Sequence, residues 1–234
     1  KRGKGEKMEN YRRYRVAMTS LFLMTGGKDG ATMLRLRAFL SSFAMLMLFF
    51  WSNVGESKDI YVASWNSSTQ QDGKTWSTAY QFLQVAISNA VEGDIIRVAG
   101  GFAPYRPYNP VGYDKGRASA FVLKKGITLQ GGWGIKNGSW ECSPDTYKTI
   151  LSGGLNGWND CYHVVIGAEG AKLEGLRITG GKANGDAPND RGGGILNSAT
   201  NFFVSNCIIS GNFAKNFGGG VFNSGSIKFE DVLF

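Results

Sequence analysis

Twice in this chain three glycines stand together before an apolar pair and an asparagine. Gly192, Gly193 and Gly194 open "GGGILN", and Gly218, Gly219 and Gly220 open "GGGVFN", 26 positions later. Glycine clusters do chemistry when their backbone N–H groups cradle a phosphate, which needs a Gly-x-x-x-x-Gly-Lys-Ser/Thr loop leading into a helix. No Lys-Ser or Lys-Thr follows either triplet, and both open segments of strand character, so the phosphate reading fails. The single histidine, His163 in "CYHVVIG", has no second histidine or carboxylate cluster beside it and reads as a strand residue. Cys142, Cys161 and Cys207 fit neither an even-numbered disulfide framework nor a zinc site. Oxidation of Cys142 with Cys161 stays open, and Cys207 falls on an apolar repeat position, as a small core residue would.

Carboxylates come next. A calcium-assisted polysaccharide lyase needs several on one face to hold the ion, with an Arg or Lys to take the proton. Glu174 and Glu230 occupy equivalent outward positions, but Ser205 stands between them; Asp186, Asp190 and Arg191 share one polar loop that reads as solvated. No spacing singles out the carboxylate pair of an inverting hydrolase. Aromatic residues offer a different chemistry. Tyr105, Tyr108, Tyr113, Trp133 and Trp140 lie in two stretches read as loops, 102–119 and 133–147. Exposed rings of this kind stack on sugars or anchor a protein partner. These five are the candidate ligand contacts, with packing against the outer face of the fold as the alternative.

The elements that must position these residues repeat. "LEGLRITG" (173–180), "VSNCIISG" (204–211) and "FEDVLF" (229–234) superpose, with first residues 31 and then 25 positions apart. The first position is apolar (Leu173, Val204, Phe229). The third tolerates a left-handed backbone (Gly175, Asn206, Asp231). The fourth and sixth alternate as one strand face requires (Leu176 and Ile178, Cys207 and Ile209, Val232 and Phe234). A leucine-rich repeat lacks its signature here, and a propeller blade needs roughly 40 residues. The period predicts an all-β fold, a right-handed parallel β-helix in which each strand stacks on its copy about 4.8 Å away. The glycine triplets then turn corners where a side chain would clash or φ must be positive, and Asn197 and Asn223 stack as an amide ladder. Over 94–234 the pattern amounts to about five rungs, a column of ~25 Å.

A short N-terminal capping helix is expected over 78–91, because Phe82, Leu83, Ala86, Ile87 and Ala90 fall on one face. Thr78 and Gln81 make a capping-box pattern at its start, and Gly93 lies just past its end. Residues 58–93 thus form an N-terminal cap and 94–234 the β-helix. Because Phe234 is an inward position in mid-rung, the expectation is a chain truncated at its C-terminus, with further rungs and a further module.

The formal net charge of +8 is concentrated: residues 1–37 carry +7, leaving 38–234 almost neutral, with no basic stripe for nucleic acid. "MLRLR" followed by 14 uncharged residues, 38–51, matches a signal peptide at 33–57 better than a membrane-spanning helix, an uncleaved anchor being the alternative. Residues 1–32 read as a leader extension or upstream read-through. Any membrane association would run through this signal peptide or a C-terminal module.

With the repeats laid out, "GNFAKNFGGGVFN" resembles the Phe-x-x-Asn and Gly-Gly-Ala-Ile/Leu/Val repeats of chlamydial polymorphic outer-membrane proteins. Phe213 and Asn216 carry the first motif, and Gly218 to Val221 approximate the second with Gly in place of Ala. The order "YVAS…GKTWSTAYQFLQVAI…GDIIRVAGG…FVLKKGITLQGGW…TILSG…YHVV…LEGLRITGG" is similar to exported β-helix proteins of Bacteroidetes-type bacteria. The resemblance covers about 60–234 and implies export to the surface or outer membrane of a Gram-negative cell. It implies an adhesin or passenger domain, and carries over no catalytic residue. The expected function is therefore a non-enzymatic adhesin or stalk presenting loops to glycans or to host or neighbouring cells, without a cofactor. The alternatives are a pectate-lyase-like enzyme, which alone would use Ca2+, and a purely structural spacer.

Overall fold

A computed structural model describes residues 57–101, 103–107, 116–154 and 160–234. Residues 1–56, on which the expected leader extension and nearly all of the expected signal peptide fall, lie outside the described residues, as do Tyr108 and Tyr113.

Sixteen strands, one α-helix and a single 3-10 turn (Gly116–Ala118) are the regular elements of the described residues. The first sheet runs in parallel through β1 (Asp59–Val62), β2 (Ile95–Ala99), β4 (Thr128–Lys136), β8 (Lys172–Glu174), β12 (Phe202–Ser205) and β16 (Ile227–Glu230). One strand, β5 (Ser139–Cys142), pairs antiparallel with β4. A second sheet joins β6 (Thr149–Ser152), β9 (Leu176–Thr179) and β13 (Ile208–Ile209). The third joins β3 (Phe121–Val122), β7 (Val165–Ile166), β11 (Ile195–Asn197) and β15 (Val221–Asn223). The fourth pairs β10 (Lys182–Ala183) with β14 (Phe213–Ala214). From β8 onward the chain visits the first, second, fourth and third sheets in turn and begins again, adding one parallel strand per visit. The protein is thus mainly β, built from stacked parallel sheets.

Register follows from which residues cannot face water. Ile60, Ile96, Leu129, Leu173, Val204 and Phe229 stand on one another through five successive pairings. Leu151, Ile178 and Ile209 form the equivalent line in the second sheet. Phe121, Val165, Ile195 and Val221 form that of the third. Apart from Phe229, which is 38% exposed at the last strand, the three lines meet in one apolar cluster, where each fully buried Leu, Ile or Phe contributes about 1.5–3 kcal/mol. A slip of one residue would turn a whole line outward. Between the first and second sheets the chain bends at Gly175, Asn206 and Asp231, with φ of 65°, 49° and 52°. These are the three positions whose residue types predicted a left-handed bend.

The helix is shorter than expected. It spans Leu83–Asn89 and begins on Phe82, with no side-chain capping bond. Thr78 instead donates its hydroxyl to Asp72 Oδ1 at 2.6 Å, and Gln81 donates its N–H to Gln71 Oε1 at 2.9 Å. The capping-box residues are spent on holding the preceding loop, a tertiary demand that outweighs the local one. The buried face, Leu83, Ala86 and Ile87, joins the main core. A second correction concerns 133–147, read as a loop. β4 runs on to Lys136, turns through Asn137 (φ 50°) and Gly138 (φ 80°), and returns as β5. Positive φ at both central residues is the geometry of a two-residue hairpin.

Candidate functional site

On the outward face of the first sheet, Tyr61, Arg97, Gln130, Glu174, Ser205 and Glu230 occupy one register line. Glu174 and Glu230 are equivalent positions separated by Ser205, as the repeat predicts. The upper half of the line is bonded into a chain. Gln130 Nε2 donates to Glu174 Oε2 at 3.1 Å, while Gln130 Oε1 accepts from Arg97 Nη1 at 3.3 Å and from the Trp133 indole N–H at 3.1 Å. Arg97 Nε lies 3.0 Å from Asp59 Oδ1, a charge contact rather than an aligned hydrogen bond. The Arg97 guanidinium sits 4.5 Å over the Trp133 ring. Here the cation is attracted by the ring face.

Trp133 opens an aromatic cluster that four separate segments build. Its ring lies 5.9 Å from that of Trp76. Trp76 stacks on Trp140 with centroids 3.8 Å apart and planes 10° from parallel. Trp140 in turn is within 6° of parallel to Trp65 at 6.2 Å. Tyr61 meets Trp76 edge-on at 4.7 Å. Beneath them Ala63, Ala79 and Ala99 are almost wholly buried; larger side chains there would lift the indoles off the sheet. Trp133 and Trp140 come from the two arms of the β4 and β5 hairpin. Trp76 is placed by the loop that Thr78 and Asp72 lock. The Thr78 hydroxyl, and then the Lys74 backbone N–H, hold the Asp72 carboxyl below its ordinary pKa.

The structure therefore brings together two of the five predicted contacts, Trp133 and Trp140. It adds Tyr61, Trp65 and Trp76, which no sequence pattern singled out. Tyr105 is corrected: it is 5% exposed and belongs to the main core. Its hydroxyl donates to the Ala99 carbonyl at 2.9 Å and accepts from the Ser64 N–H at 3.2 Å, and burial pushes it up to about 12. It holds the floor of the cluster from below.

The remaining candidates are absorbed by the fold. Gly192 and Gly218 have φ of 66° and 59°. A side chain on Gly194 would meet the Gly220 carbonyl at 2.5 Å, and one on Gly193 would run into the Phe213 carbonyl. The N–H groups of Gly192, Gly194 and Ile195 donate to carbonyls of the next triplet at 2.8–3.0 Å, so they are spent on stacking. His163 stands just before β7, buried, its Nδ1 donating to the Gly192 carbonyl at 2.9 Å. Asn197 donates to Asn223 Oδ1 at 2.7 Å, forming the expected amide ladder. Asp190 pairs with Arg191 at 2.6 and 3.1 Å and accepts from Asn216 at 2.7 Å. The Arg191 bond, followed by that of Asn216, brings its carboxyl down to about 2. Arg191 lies over Phe222 at 5.1 Å. Among the described residues no disulfide forms; Cys142 is exposed, Cys161 and Cys207 buried. Burial pushes the Cys207 thiol up to about 11 and raises that of Cys142, opposite to the shift a nucleophile needs. Among the described residues no group of three or more His, Cys, Asp or Glu side chains converges as a metal site would require.

What the fold and site define is a class: a mainly β protein of stacked parallel sheets carrying an outward aromatic cluster. Compared with known proteins, the chain matches no family model, no curated sequence and no solved structure.

Proposed function

We propose that the protein is an exported, cell-surface, right-handed parallel β-helix that works as a non-enzymatic adhesin or stalk. In this reading α1 (Leu83–Asn89) caps the N-terminal end of the column, covering the first turn with Leu83, Ala86 and Ile87. The cyclic visiting of sheets, the stacked apolar lines and the resemblance of the Gly-rich repeats to outer-membrane adhesins support it. The observation that carries the reading is the aromatic cluster. Four of the chain's 6 tryptophans converge on the outward side of one sheet, although the main core closes without them. Large, rigid aromatic side chains dominate recognition surfaces because they bury much area at little entropic loss.

The test is adhesion of the whole protein. Beads coated with the full chain should bind cells or immobilised surface glycans. Trp140→Ala should cut capture at least ten-fold at unchanged β-type circular dichroism, and Trp140→Phe should restore most of it. Equal capture by wild type and Trp140→Ala would remove the cluster from the function.

A further inference from the structure

Trp76 stands at the centre of the aromatic cluster, and the loop that presents it is closed by one carboxylate. Its ring is stacked on Trp140 at 3.8 Å, lies 5.9 Å from Trp133 and is met edge-on by Tyr61 at 4.7 Å. The rings cover one another, so the cluster is a shut assembly. Moving Trp76 would break its contacts with Trp140, Trp133 and Tyr61 together.

What holds Trp76 there is the segment from Asp72 to Thr78. Asp72 Oδ1 accepts the Thr78 hydroxyl at 2.6 Å and the Lys74 backbone N–H at 3.0 Å, and Oδ2 lies 3.3 Å from Lys74 Nζ. The Gly73 N–H donates to the Thr78 carbonyl at 2.9 Å and closes the same span of backbone. All three partners of the carboxylate thus come from the segment that carries Trp76. Hydrogen bonds to an ionised group are about twice as strong as neutral ones, so the loop is closed largely by charge. A proton on Asp72 ends the attraction to Lys74 and places an O–H where donors already converge. The Asp72 side chain is 31% exposed, within reach of solvent protons. Among the described residues the charge that acts on it is that of Lys74. Tyr61, whose N–H donates to the Gly73 carbonyl, and Tyr80, whose ring lies against Gly73, bring phenols rather than charges.

Resting on the adhesin reading for its purpose, we propose that Asp72 is an acid-sensitive latch on the aromatic cluster. As a carboxylate it clamps the loop and keeps Trp76 in the stack; on taking a proton from solvent it releases the loop and the stack opens. The Thr78 and Lys74 bonds hold its carboxyl below the ordinary 3.8. The clamp is therefore complete above that value and is lost as pH falls through the lowered one.

The test follows the full chain by circular dichroism from neutral pH into acid and back. Parallel indoles in contact couple excitonically, so Trp76 and Trp140 give a couplet distinct from the β-sheet signal. The couplet should collapse reversibly below pH 3.8 while the sheet signal stays. Asp72→Asn, which keeps the shape and removes the charge, should show a weakened couplet at neutral pH that acid does not change. Thr78→Val should move the collapse toward neutral pH, and Thr78→Ser should restore wild-type behaviour, which separates the latch from general damage to the loop. A wild-type couplet that persists until the sheet itself unfolds overturns the proposal, as does an unchanged acid collapse in Asp72→Asn. Adhesion through Trp140 without any acid collapse keeps the adhesin reading and loses the latch. A collapse that depends on Asp72 in a chain that never adheres keeps the latch and loses the adhesin reading.

Discussion

Tyr105 lies under the aromatic cluster, and two backbone groups on its floor, the Ala99 carbonyl and the Ser64 N–H, meet at its hydroxyl. Removing that hydroxyl strands both groups, at about 1–3 kcal/mol for each buried group left unsatisfied. The same hydroxyl carries a pH signature. Its folded pKa, about 12, lies above the ordinary 10.0, so between these values the unfolded chain has already released a proton that the fold retains. Its contribution is therefore complete below pH 10 and is lost as pH rises toward 12. The gap corresponds to roughly 3 kcal/mol at 1.36 kcal/mol per pH unit. Tyr105→Phe should be less stable than wild type in urea at pH 8, and the difference should narrow by pH 11.5. A constant difference across that range would mean that burial does not perturb the group.

At the scale of elements, the bend after each strand of the first sheet tests the repeat. Gly175, Asn206 and Asp231 share one backbone conformation with three different side chains. For Gly175 the absence of a side chain has a second reason, since a Cβ would come within 2.7 Å of the Pro144 ring. Gly175→Ala should lose about 1–3 kcal/mol, combining the left-handed penalty of about 1–2 kcal/mol with the clash. Asn206→Gly relieves the same penalty in a more open place and should shift stability by less than about 1 kcal/mol. Urea midpoints of the two variants check this; equal losses would mean that the bend is not set by φ. Among the described residues the β4 and β5 hairpin is the one departure from the parallel pattern in the first sheet. It is also the element that delivers Trp133 and Trp140 to the site.

At the scale of the stacked sheets, stability runs along the apolar lines, because each strand pairs with the strands on either side of it in its sheet. Leu173 is fully buried between Leu129 and Val204. Leu173→Ala should cost about 2–5 kcal/mol through lost transfer energy and the cavity left behind. Its outward neighbour Lys172→Ala should stay within about 0.5 kcal/mol. Thermal or urea unfolding of the two variants reads the contrast, and similar losses would contradict the inward and outward assignment of β8.

What was legible in the sequence is what one-dimensional stacking controls. Parallel pairing places equivalent residues of successive turns directly over one another, so the line of Leu173, Val204 and Phe229, the bends at Gly175, Asn206 and Asp231, and the Asn197 and Asn223 ladder all recur in sequence before they recur in space. The glycine triplets were legible for the same reason, since each must clear the backbone of the turn above. The aromatic site was only half legible. Tyr61, Trp65, Trp76, Trp133 and Trp140 follow no period; loop hydrogen bonds and the hairpin turn bring them to one place. Tyr105 was misplaced because composition separates an aromatic residue from its neighbours but does not say on which side of the sheet its ring is buried. Periodicity sets a register because every turn obeys the same packing constraint, whereas a site assembled from unlike loops is decided only when the chain closes on itself.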